Sequence, residues 1–144
     1  MQPNHLLTDM NLALDRLGPE RAKFSYTRNA FLDAGVPLAF GTDYPVEPLA
    51  PFRGLYAAVM RKNEAGTKEY YPEEKLTIDE AVAAYTEGAA YAEFGEKRKG
   101  KLAPGYDADL VVLDRDLTRT SPEEILRTKV LRTAVAGKTV WKND

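Results

Sequence analysis

Gly35-Val36-Pro37-Leu38-Ala39-Phe40-Gly41-Thr42-Asp43-Tyr44-Pro45 is a short apolar run that ends in glycine, threonine and one acid. A run of about five apolar residues bounded by Gly and Pro is too short for a helix, which needs roughly ten, so Val36–Gly41 is predicted to be a buried strand. Asp43 then stands at the C-terminal end of that strand. In parallel α/β architectures the loops leaving that end converge on one face and build the site. Spacing alone leaves two readings of Asp43 open. It is either an Asx turn that satisfies nearby main-chain N–H groups, or a carboxylate that binds a divalent metal and takes a proton from water.

On the N-terminal side, residues 1–8 read as an extended lead-in. Asp9 is placed as the cap of a short helix through Leu17, closed by Gly18. Pro19 opens a second helix, Glu20 to Ala34, with Gly35 just past its end where a left-handed conformation is needed. Phe24, Ala30, Phe31 and Ala34 recur at near-helical spacing, with Tyr26 beside them, and give that helix an apolar face.

On the C-terminal side, Pro45, Pro48 and Pro51 interrupt regular structure until Pro51 itself starts a helix to about Arg61. Asn63 to Tyr71 is polar and reads as a loop. Thr77-Ile78-Asp79-Glu80 has the form of a capping box and opens a helix ending near Phe94-Gly95, apolar around much of its circumference and therefore packed on more than one side. Lys97 to Lys101 is a basic turn, Leu110 to Leu113 a buried strand, and Ser121-Pro122-Glu123-Glu124 a second capping box. Val130–Ala136 and Thr139–Trp141 flank Gly137-Lys138 as a hairpin with a type II′ turn. A boundary is expected near Gly95–Lys101, dividing the chain into residues 1–96 and 97–144.

The 144 residues carry 20 Lys+Arg against 22 Asp+Glu, a formal charge of −2, which leaves no excess of cations for a phosphate backbone. Nucleic acid is therefore not an expected partner. No apolar stretch approaches the roughly 18 residues of a membrane span, and the N-terminus lacks a signal-peptide pattern, so no membrane association and a cytoplasmic location are expected. With no cysteine and one histidine, the chain cannot by itself build a thiolate site or a His-rich zinc site.

His5 reads either as a surface imidazole or as a loop residue aimed at the same face as Asp43, where it would hydrogen-bond substrate. Asp107 and Asp109 alternate along an incipient strand and are read as turn and edge residues rather than a cation site. Glu93, Glu96 and the basic run after them read as a solvated helix end, and Tyr70, Tyr71 and Trp141 as packing or partner-facing aromatics.

Taken together, Gln2-Pro3-Asn4-His5, Asp15-Arg16-Leu17-Gly18, Gly35 to Pro48, Thr77 to Ala81 and Gly100 to Asp114 resemble the C-terminal part of amidohydrolase-superfamily enzymes, in the branch containing N-substituted formamide deformylase-like proteins. The resemblance implies an α/β fold: the C-terminal portion of a (β/α)₈ barrel followed by a small β-rich unit of a composite β domain. It implies a metal-dependent hydrolase of non-peptide carbon–nitrogen bonds acting on a small amide-type substrate. In that scheme Asp43 is the strand-8 aspartate that contacts a divalent metal, zinc, and handles the proton of the hydrolytic water. His5 is the substrate-side histidine of the loop after strand 7.

The histidine ligands of earlier strands have no counterpart, so the chain is expected to be a fragment that is inactive alone: the product of a truncated or misassigned reading frame, a proteolytic product, or a subunit completed by another chain or within an oligomer. The alternative reading is a non-catalytic α/β module that pairs through an exposed sheet edge.

Overall fold

The computed structural model describes residues 1–143; Asp144, the last residue of the expected 97–144 unit, lies outside them. The N-terminus is helical rather than extended. Helix α1 spans His5–Leu17, preceded by Asn4, and buries Leu6, Met10 and Ala13. Those residues follow the i, i+4, i+7 stripe of an amphipathic helix, which places Asp9 inside α1 rather than at its cap. Gly18 closes the helix as expected, with φ 69° and its N–H on the Leu14 carbonyl.

The helix expected over residues 20–34 is broken in two, α2 (Pro19–Ala22) and α3 (Asn29–Asp33). Between them the chain is tied to other elements rather than to itself. The Arg28 N–H goes to Glu74 Oε2 at 2.7 Å and its guanidinium to the Pro3 carbonyl at 3.2 Å, while Tyr26 takes a left-handed φ of 54°. Phe24 is consequently 74 % exposed, so the apolar face it was expected to share does not form. Gly35 does terminate α3, at φ 73°, with Val36 N–H returning to the Phe31 carbonyl.

Val36–Gly41 is extended and buries Leu38 and Phe40, but it belongs to no sheet. A strand needs a neighbour to take its N–H and C=O groups, and none lies beside it among the described residues. Its main-chain groups find other partners: Phe40 N–H donates to Ala84 O, Gly41 N–H to Met1 O, and the Met1 amine to Ala39 O. Helix α4, Pro51–Met60, starts on its proline as expected and ends at Arg61, φ 51°. The polar segment after it folds back on itself. Asn63 Oδ1 accepts the N–H groups of Thr67 and Lys68, Lys62 and Glu69 form a bridge, and Tyr70 is buried.

The capping box at Thr77 forms in full and opens α5, Ile78–Ala83. The helix then widens into a π turn, Ala84–Gly88, before α6, Ala89–Ala92. Tyr91 and Phe94 are exposed, so the C-terminal part of this helical run is not packed on several sides.

Strands β1 (Leu110–Leu113), β2 (Val130–Val135) and β3 (Lys138–Lys142) form an antiparallel sheet in the order β1-β2-β3, with Leu110 opposite Ala134 and Thr133 opposite Trp141. β1 is not the buried strand expected, since Val111 and Val112 are exposed. The hairpin turn is centred on Ala136 and Gly137, both at positive φ (50° and 75°), which is type I′ rather than type II′. The second capping box does not form. Residues Pro122–Arg127 make a 3₁₀ helix without a side-chain cap: the Glu124 N–H donates to the Ser121 carbonyl at 2.9 Å rather than to its hydroxyl, and the Glu124 carboxylate is engaged by Arg115 and Arg127.

Two apolar clusters hold the chain. Leu6, Met10, Ala13, Ala22 and Tyr70 form one. Leu38, Phe40, Leu55, Tyr56 and Leu76 lead the other, into which Ile125 of the 3₁₀ helix is inserted. No helix among the described residues is long and apolar enough to cross a membrane.

Candidate functional site

Asp43 follows the extended segment at a left-handed φ of 60°, a conformation that Asp tolerates better than most residues. Its carbonyl accepts the N–H of Val46 at 2.8 Å and of Glu47 at 3.4 Å. The turn is thus made by the main chain of Asp43, and its carboxylate is left free to face α1. There, Asp43 Oδ2 lies 3.3 Å from His5 Nε2, and His5 Nδ1 lies 3.9 Å from Asp9 Oδ2. The imidazole therefore sits between two carboxylates. Its Nε2 is buried and not aligned for a hydrogen bond.

Both expected site residues come together because Met1 brackets the extended segment. Its amine and carbonyl bond to Ala39 and Gly41, which sets the start of α1 against the end of Val36–Gly41. Asn4, fully buried at the helix start, holds the same junction by donating to the Pro48 carbonyl at 3.2 Å.

His5 and Asp43 line a cavity of about 480 Å³ with Asp9, Tyr26, Arg28 and Phe31. That volume is in the range of small-molecule sites. Tyr26 donates its hydroxyl to Asp9 Oδ2 at 2.9 Å; burial, and then the bond to Asp9, push its pKa up to about 12. It is a phenol at any ordinary pH and a fixed donor. Arg28 is buried, and burial followed by the nearby Arg61 cation push its guanidinium down to about 9. Arg61 is itself pushed down to about 10 by burial, and is held by the carbonyls of Tyr70 (2.7 Å) and Tyr26 (2.8 Å).

The sequence singled out neither Arg28 nor Asp9 as a site residue. Nothing in composition separates one buried arginine from the other cations, and Asp9 reads as a helix cap. Tyr26 was placed on an apolar helix face, where its hydroxyl has no part.

Whether these residues could hold a metal is answered by the donor set. Among the described residues no group of three or more His, Cys, Asp or Glu is placed to hold an ion. His5, Asp43 and the more distant Asp9 do not make a metal centre by themselves. Asp107 and Asp109 are occupied elsewhere: Asp107 pairs with Arg98, and Asp109 Oδ1 accepts the Ala136 N–H at 2.8 Å.

The amidohydrolase family profile matches residues 1–141. The chain is 35 % identical over 146 residues to the Bacillus subtilis (strain 168) protein YtcJ, covering all of this chain and 28 % of that one. It is 36 % identical over 108 residues to N-substituted formamide deformylase of Arthrobacter pascens, covering 75 % of this chain and 20 % of the enzyme. A crystal structure of a metal-dependent hydrolase from Pyrococcus horikoshii OT3 superposes with a TM-score of 0.74 at 32 % identity, over 85 % of this chain and 25 % of that one. The chain thus spans between a fifth and about 28 % of the length of these relatives. With the match running through both the His5–Asp43 junction and the three-stranded sheet, the chain belongs to the amidohydrolase family.

Proposed function

We propose that these residues supply part of the active site of a metal-dependent hydrolase of non-peptide carbon–nitrogen bonds. The observation that carries this is the approach of His5 Nε2 to Asp43 Oδ2, 3.3 Å apart on the wall of one cavity. Asp43 accepts the proton of the attacking water, a role that requires a carboxylate not consumed by main-chain N–H groups. His5 hydrogen-bonds the amide-type substrate from the helix side. The similarity to a metal-dependent hydrolase supports a metal, which we take to be divalent zinc, with Asp43 among the residues that would hold it. When bound, such an ion supplies Lewis acidity at the scissile carbonyl.

The other donors come from outside these residues, so the chain alone is inactive and contributes the last units of a (β/α)₈ barrel (residues 1–96) and a post-barrel β unit (97–144). The free flank of Val36–Gly41 is where the neighbouring barrel strand docks. A cytoplasmic setting, with no nucleic-acid or membrane partner, suits the charge balance of −2.

Metal analysis and an amide-hydrolysis assay test this on the isolated chain and on the chain joined to the missing barrel portion. Stoichiometric metal with turnover by the isolated chain overturns the incomplete-site reading. Full turnover of a completed enzyme carrying Asp43→Asn overturns the role of Asp43.

A second reading is supported by β3, whose outer edge is unpaired among the described residues and whose Val140 and Trp141 are exposed. Such an edge pairs copies of a non-catalytic module. A monodisperse homo-oligomer without metal affinity supports it.

A further inference from the structure

The segment after Asp43 turns the usual order of burial inside out. Between Gly41 and Ala50 the one buried residue is an acid, Glu47, at 4 % exposure, while its apolar neighbours Tyr44, Val46 and Leu49 are all exposed. A carboxylate is rarely buried without partners, and both oxygens of Glu47 have one. Oε1 accepts the hydroxyl of Thr8 on α1 at 2.5 Å, and Oε2 accepts Arg53 Nη1 on α4 at 2.6 Å. Arg53 is braced in turn by Glu64, whose Oε1 lies 2.6 Å from its Nε.

These bonds bear directly on the approach of His5 to Asp43. The main chain of Glu47 belongs to the turn of Asp43, its N–H lying 3.4 Å from the Asp43 carbonyl. Thr8 stands three residues after His5 on α1, so the two side chains share a helix face. A short path therefore runs from Asp43 through its turn to the Glu47 carboxylate, on to Thr8, and back along one helical turn to His5. Attachment of the loop does not depend on this path, since Asn4 also links α1 to it through the Pro48 carbonyl at 3.2 Å. Nor does attachment call for an acid. A buried ion pair adds little net stability over an apolar anchor, and its best-attested use is to select one arrangement among several. An apolar side chain in the buried position would hold the loop down, whereas two oxygens bonded to two different helices also fix its direction.

We propose that Glu47 is a positioning residue for the hydrolytic pair: by clamping the Asp43 turn between Thr8 and Arg53, it sets the distance and angle at which Asp43 meets His5. This rests on the reading of Asp43 as proton acceptor and His5 as substrate contact. A misplacement of about 1 Å in such a pair costs about 10²-fold in rate.

The test takes the lone histidine as its reporter. In the 144-residue chain, nuclear Overhauser cross-peaks between the His5 ring protons and the Asp43 β-protons read the separation of the pair without metal or substrate. The wild type should show them. Thr8→Val, which removes one hydroxyl from a helix surface, and Glu47→Ala should each weaken them to less than about half. Glu47→Gln should keep them, because its amide oxygen still accepts from Arg53 and its NH₂ donates to the Thr8 hydroxyl. Folding is checked by near-ultraviolet circular dichroism, and Thr8→Val decides the matter if a Glu47 variant does not fold. Cross-peaks absent from the wild type, cross-peaks unchanged in the folded Thr8→Val and Glu47→Ala chains, or a loss that Glu47→Gln does not reverse overturns the proposal. In the completed enzyme, Glu47→Ala should lower kcat by about tenfold or more and Glu47→Gln should restore it to within about threefold. Turnover retained by Glu47→Ala in an enzyme that Asp43→Asn inactivates defeats the positioning role alone. Turnover retained by Asp43→Asn defeats the hydrolytic reading, and the cross-peaks then still decide whether Glu47 holds the pair.

Discussion

Asp43 Oδ2 lies 3.3 Å from His5 Nε2, across 38 residues of sequence, and among the described residues no main-chain N–H donates to the carboxylate. The carboxylate is thereby available for chemistry while its own carbonyl makes the turn. Removing its basicity is the most direct probe. Asp43→Asn in a completed enzyme should lower kcat by about 10²–10⁴-fold, the usual range for losing a general base. The half-exposed pair adds little to folding, so the unfolding free energy from urea denaturation should change by less than about 1 kcal/mol. Steady-state kinetics and denaturation of the same variant check both halves.

Gly88 in the π turn presses on the Leu38 carbonyl. A Cβ at this position would sit 1.9 Å from that oxygen, which is main chain and cannot swing away. Gly88→Ala should therefore destabilise by about 1–3 kcal/mol through forced separation of the helix from the extended segment. Urea unfolding measures the loss, and a midpoint equal to wild type contradicts the packing described.

Thr77 holds both halves of the capping box, with its hydroxyl accepting the Glu80 N–H at 3.2 Å and the Glu80 carboxylate accepting the Thr77 N–H at 2.7 Å. Thr77→Ala should cost about 1 kcal/mol. Ser121→Ala, at the motif that forms no side-chain cap, should cost a few tenths at most, since there is no cap bond to lose. Parallel thermal melts of the two variants separate the real cap from the sequence look-alike.

Ala136 occupies the first central position of the type I′ turn at φ 50°, where a β-carbon is disfavoured. Ala136→Asn should stabilise the chain by about 0.5–1 kcal/mol, because Asn-Gly is the preferred pair for this turn. An unchanged or lower melting temperature argues against the I′ geometry.

Asp114 has its carboxyl held down at about 2, first by the Arg115 side chain and then by the Lys129 N–H. A depressed folded-state pKa contributes stability above the unfolded value near 4 and loses it as pH falls towards 2. The urea midpoint of the wild type should therefore drop between about pH 4 and pH 2 more than that of Asp114→Asn, which has no proton to take up. Coincident pH profiles of the two proteins contradict this.

Much of the chain's punctuation was legible from residue type. Gly18 and Gly35 end helices at positive φ, Pro51 starts one, Thr77 and Glu80 cap another, and Gly137 marks the hairpin. Each is decided within a few residues by steric or hydrogen-bond preferences of the local main chain. The resemblance added that Asp43 and His5 belong to one site, and the two do meet. Other features depended on partners far along the chain. Val36–Gly41 has strand composition, yet strand pairing needs a neighbour, and its N–H groups went to Ala84 and Met1 instead. The helix expected across residues 20–34 broke because Arg28 bonds Pro3 and Glu74 more usefully than it continues a helix. Ser121 makes no cap because the Glu124 N–H goes to its carbonyl, while Arg115 and Arg127 hold the Glu124 carboxylate. The same cause put Arg28, rather than any residue of a recognisable motif, on the cavity wall. Local dihedral and capping preferences act over three or four residues and are written in order along the chain. The burial of a charge, and the approach of His5 to Asp43, are long-range contacts that exist only once the chain has closed on itself.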